Sequence, residues 1–265
     1  MGRRGLVGAV IAAVVLAGCA GVHARARSQT AAPASVSTAT SRTRPPASGI
    51  NVDAVHRMLA GQIPDRLATS RRVVALTFDA GADDGGAPKI LAALGRARVP
   101  ATFFMTGRWA KLYVPWARRI AARYPVGDHT YDHQDLLRLP LQSVPGEVLK
   151  AAAAIKHATG RPPVRLFRFP YGSSDPRRLT LVNQLGFTVV GWTVDTLGWE
   201  GTSLGQSVDS VFMRALSHLA PGEIILMHVG ANPTDHSTLD ADALPRIIAA
   251  IRARGYRFVT VPPYM

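Results

Sequence analysis

Hydrophobic positions follow three successive rhythms along this chain. From residue 5 to 17 they run almost unbroken. From residue 20 to about 49 they lose any period, and from 73 to 261 short apolar runs alternate with longer amphipathic segments. The short runs at 73–79, 101–106, 126–130, 166–169, 187–195, 223–229 and 257–261 predict strands. The segments between them, 88–98, 109–123, 143–158, 175–185, 207–218 and 239–254, predict helices, with a further short helix over 51–60. Pro88 suits a first helical turn, and Gly186 and Gly255 stand where helices should end. About seven βα units imply a parallel sheet covered by helices, closed either as an open doubly wound sheet or as a barrel. No GxGxxG follows the first strand, which weakens a dinucleotide-binding version.

Composition bounds the class. The 265 residues are 47% hydrophobic and 18% charged, enough for one globular domain with its own core. A formal net charge of +14 favours anionic partners such as wall polymers or lipid head groups. The arginines are scattered, and neither a compact basic run nor a nucleic-acid motif is present, so nucleic acid is not an expected partner. At the start, Arg3 and Arg4 precede the apolar run at 5–17, which is short of the ~20 residues that span a bilayer and fits an export signal. Leu16-Ala17-Gly18-Cys19 resembles the lipobox of bacterial lipoproteins, and Cys19 is the only cysteine in the chain. The expected organisation is therefore a signal peptide over 1–18 and a lipidated Cys19 on a flexible tether over 19–49. The folded domain follows over 50–265, on the outer face of the cell membrane or, failing the anchor, secreted.

Polar residues cluster at the ends of the predicted strands. Asp79 ends the first, His129 the third with His133 just beyond, Arg168 lies near the end of the fourth, Asp195 ends the fifth and His228 the sixth. In a parallel barrel all would meet at the C-terminal face, where barrel sites lie. The two imidazoles four residues apart could share a metal if they stood on one helical turn.

These segments resemble the five motifs of the NodB-homology polysaccharide deacetylases, carbohydrate esterase family four. Thr77-Phe78-Asp79-Ala80-Gly81 is similar to the first, which usually reads Thr-Phe-Asp-Asp-Gly. His129-Thr130-Tyr131-Asp132-His133 matches the second, Arg168-Phe169-Pro170-Tyr171 the third, and Leu226-Met227-His228 the fifth. Asp195-Thr196-Leu197-Gly198-Trp199 is similar to the fourth. The resemblance implies a distorted, incomplete (β/α) barrel that removes acetyl groups from N-acetylated sugars of a surface polysaccharide, peptidoglycan or chitin-like. It implies a divalent metal, zinc in this family, on His129 and His133, with Asp79 as general base and Arg168 as the partner that holds it ionised. The Tyr171 backbone N–H would stabilise the oxyanion, and His228 would be the general acid. Trp199 and Leu226 would line the acetyl pocket, and Asp195 would orient Arg168 or the pocket loop.

Two departures bear on that expectation. Ala80 stands where the family has a metal-ligating aspartate, so a third ligand would have to come from Asp83, Asp84 or Asp128, or from water. Gly198 stands where many relatives carry an acid that tunes the general-acid histidine. Asp240 and Asp242 read as acids in the first turn of the last helix, not as ligands. An O-acetyl esterase on the same fold, a small-molecule amidohydrolase, and a wall-binding protein that has lost its metal remain as alternatives.

Overall fold

The structure, a computed structural model, describes residues 52–262. The expected signal segment, Cys19 and the tether over 19–49 lie outside the described residues. In chain order the elements are α1 (Val52–Leu59), β1 (Val73–Ala80), α2 (Ala87–Ala97), β2 (Thr102–Met105), α3 (Gly107–Leu112) and α4 (Val114–Ala121). Then come β3 (Val126–Asp128), α5 (Val144–Thr159), β4 (Leu166–Phe167), α6 (Pro176–Gln184) and β5 (Thr188–Val189). The last are β6 (Val194–Asp195), α7 (Val208–Leu216), β7 (Glu223–His228), α8 (Leu239–Ala253) and β8 (Arg257–Val259). Among the described residues no helix is long and apolar enough to cross a membrane.

Seven parallel strands in the order β5-β4-β3-β2-β1-β7-β6 curl into a half-barrel, the distorted and incomplete form that the motifs imply. All eight residues of β1 are buried, as a central strand covered on both faces requires. Period-two alternation sorts them. Val74, Leu76, Phe78 and Ala80 join the layer beneath Ile90 and Leu94 of α2 and Leu244 and Ile247 of α8. Val73 and Ala75 turn inward to Phe104, Leu166, Val190 and Ile224. Thr77 and Asp79 continue that inward row, so the strand delivers a carboxylate at its C-terminal end. β2 pairs with the second half of β1 and β8 with the first, from Val73 to Ala75.

The single strand expected over 187–195 is two. β5 closes one edge of the sheet beside β4, and β6 closes the other beside β7. The chain between them crosses the opening because its backbone is bonded elsewhere. Gly191 N–H donates to the Pro64 carbonyl and Thr193 N–H to that of Ile224, while the Val190 and Gly191 carbonyls accept from the Arg168 side chain. The helix expected over 109–123 is likewise divided, with α4 restarting after Tyr113 and Pro115 in its first turn. Gly186 and Gly255 have φ of 88° and 77°, the left-handed conformation in which helices commonly end.

Candidate active site

Register assembles the site. β1 and β7 place Asp79 beside His228, and β6 and β7 place Asp195 beside Leu226. His129 follows β3 and Arg168 follows β4, two strands paired at Asp128 and Phe167. At the centre, Arg168 is completely buried and spends its guanidinium on four acceptors. Nη1 donates to Asp79 Oδ1 at 2.8 Å and to Thr77 Oγ1 at 2.9 Å. Nη2 donates to the Gly191 carbonyl at 3.0 Å and Nε to that of Val190 at 3.4 Å. Its cation also lies over the Phe104 ring, 4.2 Å from the centroid. Burial alone would raise the Asp79 pKa, but Arg168, with His129 and His228, outweighs it and holds the carboxyl below its ordinary range.

The other oxygen, Asp79 Oδ2, is 3.4 Å from His129 Nε2. His129 Nδ1 meets the Arg168 carbonyl at 2.8 Å, which makes Nδ1 the protonated nitrogen and leaves the Nε2 lone pair facing the cleft. The His133 ring stands 4.8 Å from that of His129, nearly at right angles to it. The two histidines meet on a loop rather than on the helical turn their spacing suggested. Asp128 Oδ1 accepts from Thr130 N–H, Thr130 Oγ1 accepts from His133 N–H, and both Thr130 and His133 adopt left-handed φ, 69° and 66°. Tyr171 (φ 60°) and Leu197 (φ 58°) are left-handed as well. Four such residues around one cleft mark a backbone held away from its preferred conformation.

The cleft holds about 430 Å³ and is lined by Asp79, His129, His133, Asp195, Leu226 and His228, with Tyr171, Trp192 and Trp199 as its aromatic walls. Tyr171 and Trp199 are largely exposed, 68% and 46%. The Tyr171 ring packs edge-on against His133, and its N–H has no acceptor among the described residues. Asp195 Oδ1 accepts from Leu197 N–H and turns the loop that carries Trp199. Asp195 does not bond the Arg168 guanidinium. Its carboxyl is raised above the ordinary range, chiefly by burial.

His129 and His133 suit a divalent cation. Burial lowers both pKa values, that of His133 to about 3, so both rings are neutral bases. Holding Nδ1 on a carbonyl is how a ligating Nε2 is commonly oriented. Two of the three carboxylates expected as third ligands are engaged elsewhere. Asp83 Oδ1 accepts from Gly85 and Ala231 N–H. Asp128 is buried behind the loop, where desolvation raises its pKa well above the ordinary range. Ala80 belongs to the outer, helix-facing core beside Met105. Among the described residues no group of three His, Cys, Asp or Glu is placed to hold a metal.

The sequence pattern of polysaccharide deacetylases matches residues 66–190. A chitooligosaccharide deacetylase from Sinorhizobium fredii is 36% identical over 205 residues, covering 74% of this chain and 94% of its own length. The chain belongs to the polysaccharide deacetylase family. A peptidoglycan-N-acetylglucosamine deacetylase from Bacillus cereus is 35% identical over 190 residues, which are 71% of this chain and 66% of that protein. The crystal structure of a CE4 family pseudoenzyme from Bacillus anthracis superposes with a TM-score of 0.69 at 27% identity, over 77% of this chain and 69% of that one.

Within this deacetylase fold, two neighbours of the motif residues carry no mark in the sequence. Trp192 lines the cleft, flanks Arg168 and packs on Gly172, where a Cβ would meet the indole at 2.9 Å. Asp240 is 3% exposed and reaches the motif-five histidine, with Oδ2 accepting from His228 N–H at 2.8 Å and lying 3.4 Å from Nδ1. Burial would lower the His228 pKa, but the carboxylates of Asp240, Asp195 and Asp79 outweigh it and raise it. The only signal for Asp240 in the sequence was an acid in a first helical turn, which describes Asp242 equally well. Asp242 instead pairs with Lys89 at the surface.

Proposed function

We propose that this protein hydrolyses the acetamide of N-acetylglucosamine units in peptidoglycan or a chitin-like oligomer outside the cell, releasing acetate and the free amine. One observation carries the reading. An ionised carboxylate, Asp79, is fixed between a buried guanidinium and two neutral imidazoles, and faces a protonatable histidine, His228, in the same cleft. The relatives named above act on these two polymers.

A divalent cation on His129 and His133, zinc by family resemblance, would polarise the acetyl carbonyl and make the attacking water more acidic. Asp79 takes the water proton, and Arg168 keeps that carboxylate ionised and aimed. As oxygen adds to the carbonyl carbon, the unpaired Tyr171 N–H donates to the developing oxyanion. His228 gives its proton to the amine nitrogen as the C–N bond breaks. Trp199 and Leu226 bound the space for the acetyl methyl, and the exposed faces of Tyr171 and Trp199 offer sugar-stacking surfaces. Export through the segment at 1–18 and lipidation of Cys19 would tether the domain within reach of the wall, with the +14 charge drawing it to anionic polymer.

A second reading, a wall-binding protein without turnover, is favoured by the lack of a third ligand among the described residues and by likeness to a pseudoenzyme. Acetate release by the full-length protein on chitooligosaccharides and peptidoglycan, with and without chelator and added zinc, separates the two. Release that chelator abolishes and zinc restores supports the deacetylase. Saturable binding of either polymer with no acetate under any metal refutes it, and release from O-acetyl esters alone replaces it with the esterase.

A further inference from the structure

We infer that Asp240 is the positioning residue of His228, supplying from the first turn of α8 the carboxylate that position 198 lacks. Gly198 and Asp240 share one space. A Cβ built on Gly198 would overlap the Asp240 carboxyl group, so an acid at 198 and an acid at 240 exclude each other in this fold. The carboxylate is held at both oxygens. Oδ1 accepts from Thr196 Oγ1 at 2.6 Å, and Oδ2 accepts from His228 N–H at 2.8 Å. Oδ2 also lies 3.4 Å from His228 Nδ1, a buried atom that no hydrogen bond within the described residues satisfies, so this carboxylate is the acceptor set nearest to it. None of these bonds goes to the N–H groups of α8 itself, so helix capping does not explain the residue. Burying a carboxylate at 3% exposure is costly unless charge or hydrogen bonds compensate it, and here every partner lies on the strand ends that carry motifs four and five. With Nδ1 turned to Asp240, Nε2 is the nitrogen left to face substrate, the arrangement a general acid needs.

The inference rests on the deacetylase reading for its role in turnover but not for its geometry, so two readouts are used on the full-length protein. In the first, Asp240→Asn lowers kcat for acetate release by roughly 10–100-fold with KM and zinc affinity unchanged. That is less than the roughly 10²–10⁴-fold expected when a general acid is removed outright. Gly198→Asp alone is also impaired because the two carboxyl groups collide, whereas the double variant Gly198→Asp with Asp240→Gly regains at least about ten-fold over Asp240→Gly. In the second, two-bond ¹H–¹⁵N spectra of labelled histidine, with His228 assigned by its loss in His228→Gln, find Nδ1 protonated in the wild type. That preference disappears in Asp240→Ala. Unchanged kcat in Asp240→Asn, or no recovery in a folded double variant, overturns the positioning role, as does a His228 tautomer indifferent to Asp240. Absence of acetate release from the wild type alongside an Asp240-dependent tautomer refutes the deacetylase reading and leaves the inferred contact standing.

Discussion

Replacing Arg168 with Met tests how the centre of the site is held together. The substitution keeps an unbranched apolar stem against Phe104 and removes four donated bonds, one of them to a carboxylate that is 7% exposed. Removing one partner of a buried ion pair typically costs about 3–5 kcal/mol, because the remaining charge stays desolvated and unpaired. A domain of ~200 residues shifts its Tm by about 2–4 °C per kcal/mol. Arg168→Met should therefore melt roughly 6–20 °C below the wild type in thermal denaturation followed by circular dichroism. If the stranded charge is the cause, neutralising it should help. Asp79→Asn in the same chain should recover about 1–3 kcal/mol relative to Arg168→Met alone, a coupling that a double-mutant cycle reads directly. The orientation of His129 depends on the Arg168 carbonyl, which the substitution retains, so zinc affinity should change far less than stability. A Tm within ~2 °C of the wild type, or strictly additive single and double variants, would sink the claim that this pair organises the site.

Two further outcomes follow from features around the site and beneath it. Glu223 is buried at the start of β7 with Oε1 unpartnered, and burial pushes its pKa up to about 7 against the partial relief of Ala220 N–H and Arg66. Its folded pKa lies above the unfolded value, so the folded state binds the extra proton, and stability falls as pH rises from about 4.5 through 7. Glu223→Gln should gain about 1–3 kcal/mol over the wild type at pH 8 and almost nothing at pH 4 by urea denaturation. An equal difference at both pH values would contradict the assignment. Tyr171 holds φ of 60° with a side chain that is 68% exposed and stacks edge-on against His133. Tyr171→Gly trades that strain against chain entropy and should leave Tm within ~2 °C while lowering kcat/KM. A large drop in Tm would make the ring a structural element instead.

The scaffold was legible because its signals are local. A buried central strand such as β1 reads as an unbroken apolar run. Strand ends that carry Asp79, His129, Arg168 and His228 converge wherever parallel strands share a direction. What stayed hidden depends on partners distant in sequence. The run at 187–195 has the composition of one strand. Its division is set by Arg168 and Pro64, which take the Val190 carbonyl and both backbone groups of Gly191 out of the ladder. The histidine loop has helical spacing but not helical geometry, since Asp128 and Thr130 bond the amides that a helix would need. Asp240 was hidden for the same reason: an acid early in a helix looks alike whether it faces solvent, as Asp242 does, or a histidine on a neighbouring strand.

The two departures from the family motifs have different physical outcomes. At position 198 the lost acid leaves room, and another carboxylate fills it, so His228 keeps a negative neighbour. At position 80 the side chain turns toward α2 and α8, and no carboxylate among the described residues completes the pair of imidazoles. On the proposed roles, the residues that would handle protons all have partners among the described residues, while those that would hold a cation are two histidines. Buried charges and unfavourable backbone conformations collect at this end of the barrel: a buried Asp79–Arg168 pair, a buried Asp240, and left-handed Thr130, His133, Tyr171 and Leu197. Each would be cheaper to replace with an apolar or glycine residue if packing were its only purpose. Their concentration around His228 and Asp79 supports the proposed turnover over mere binding.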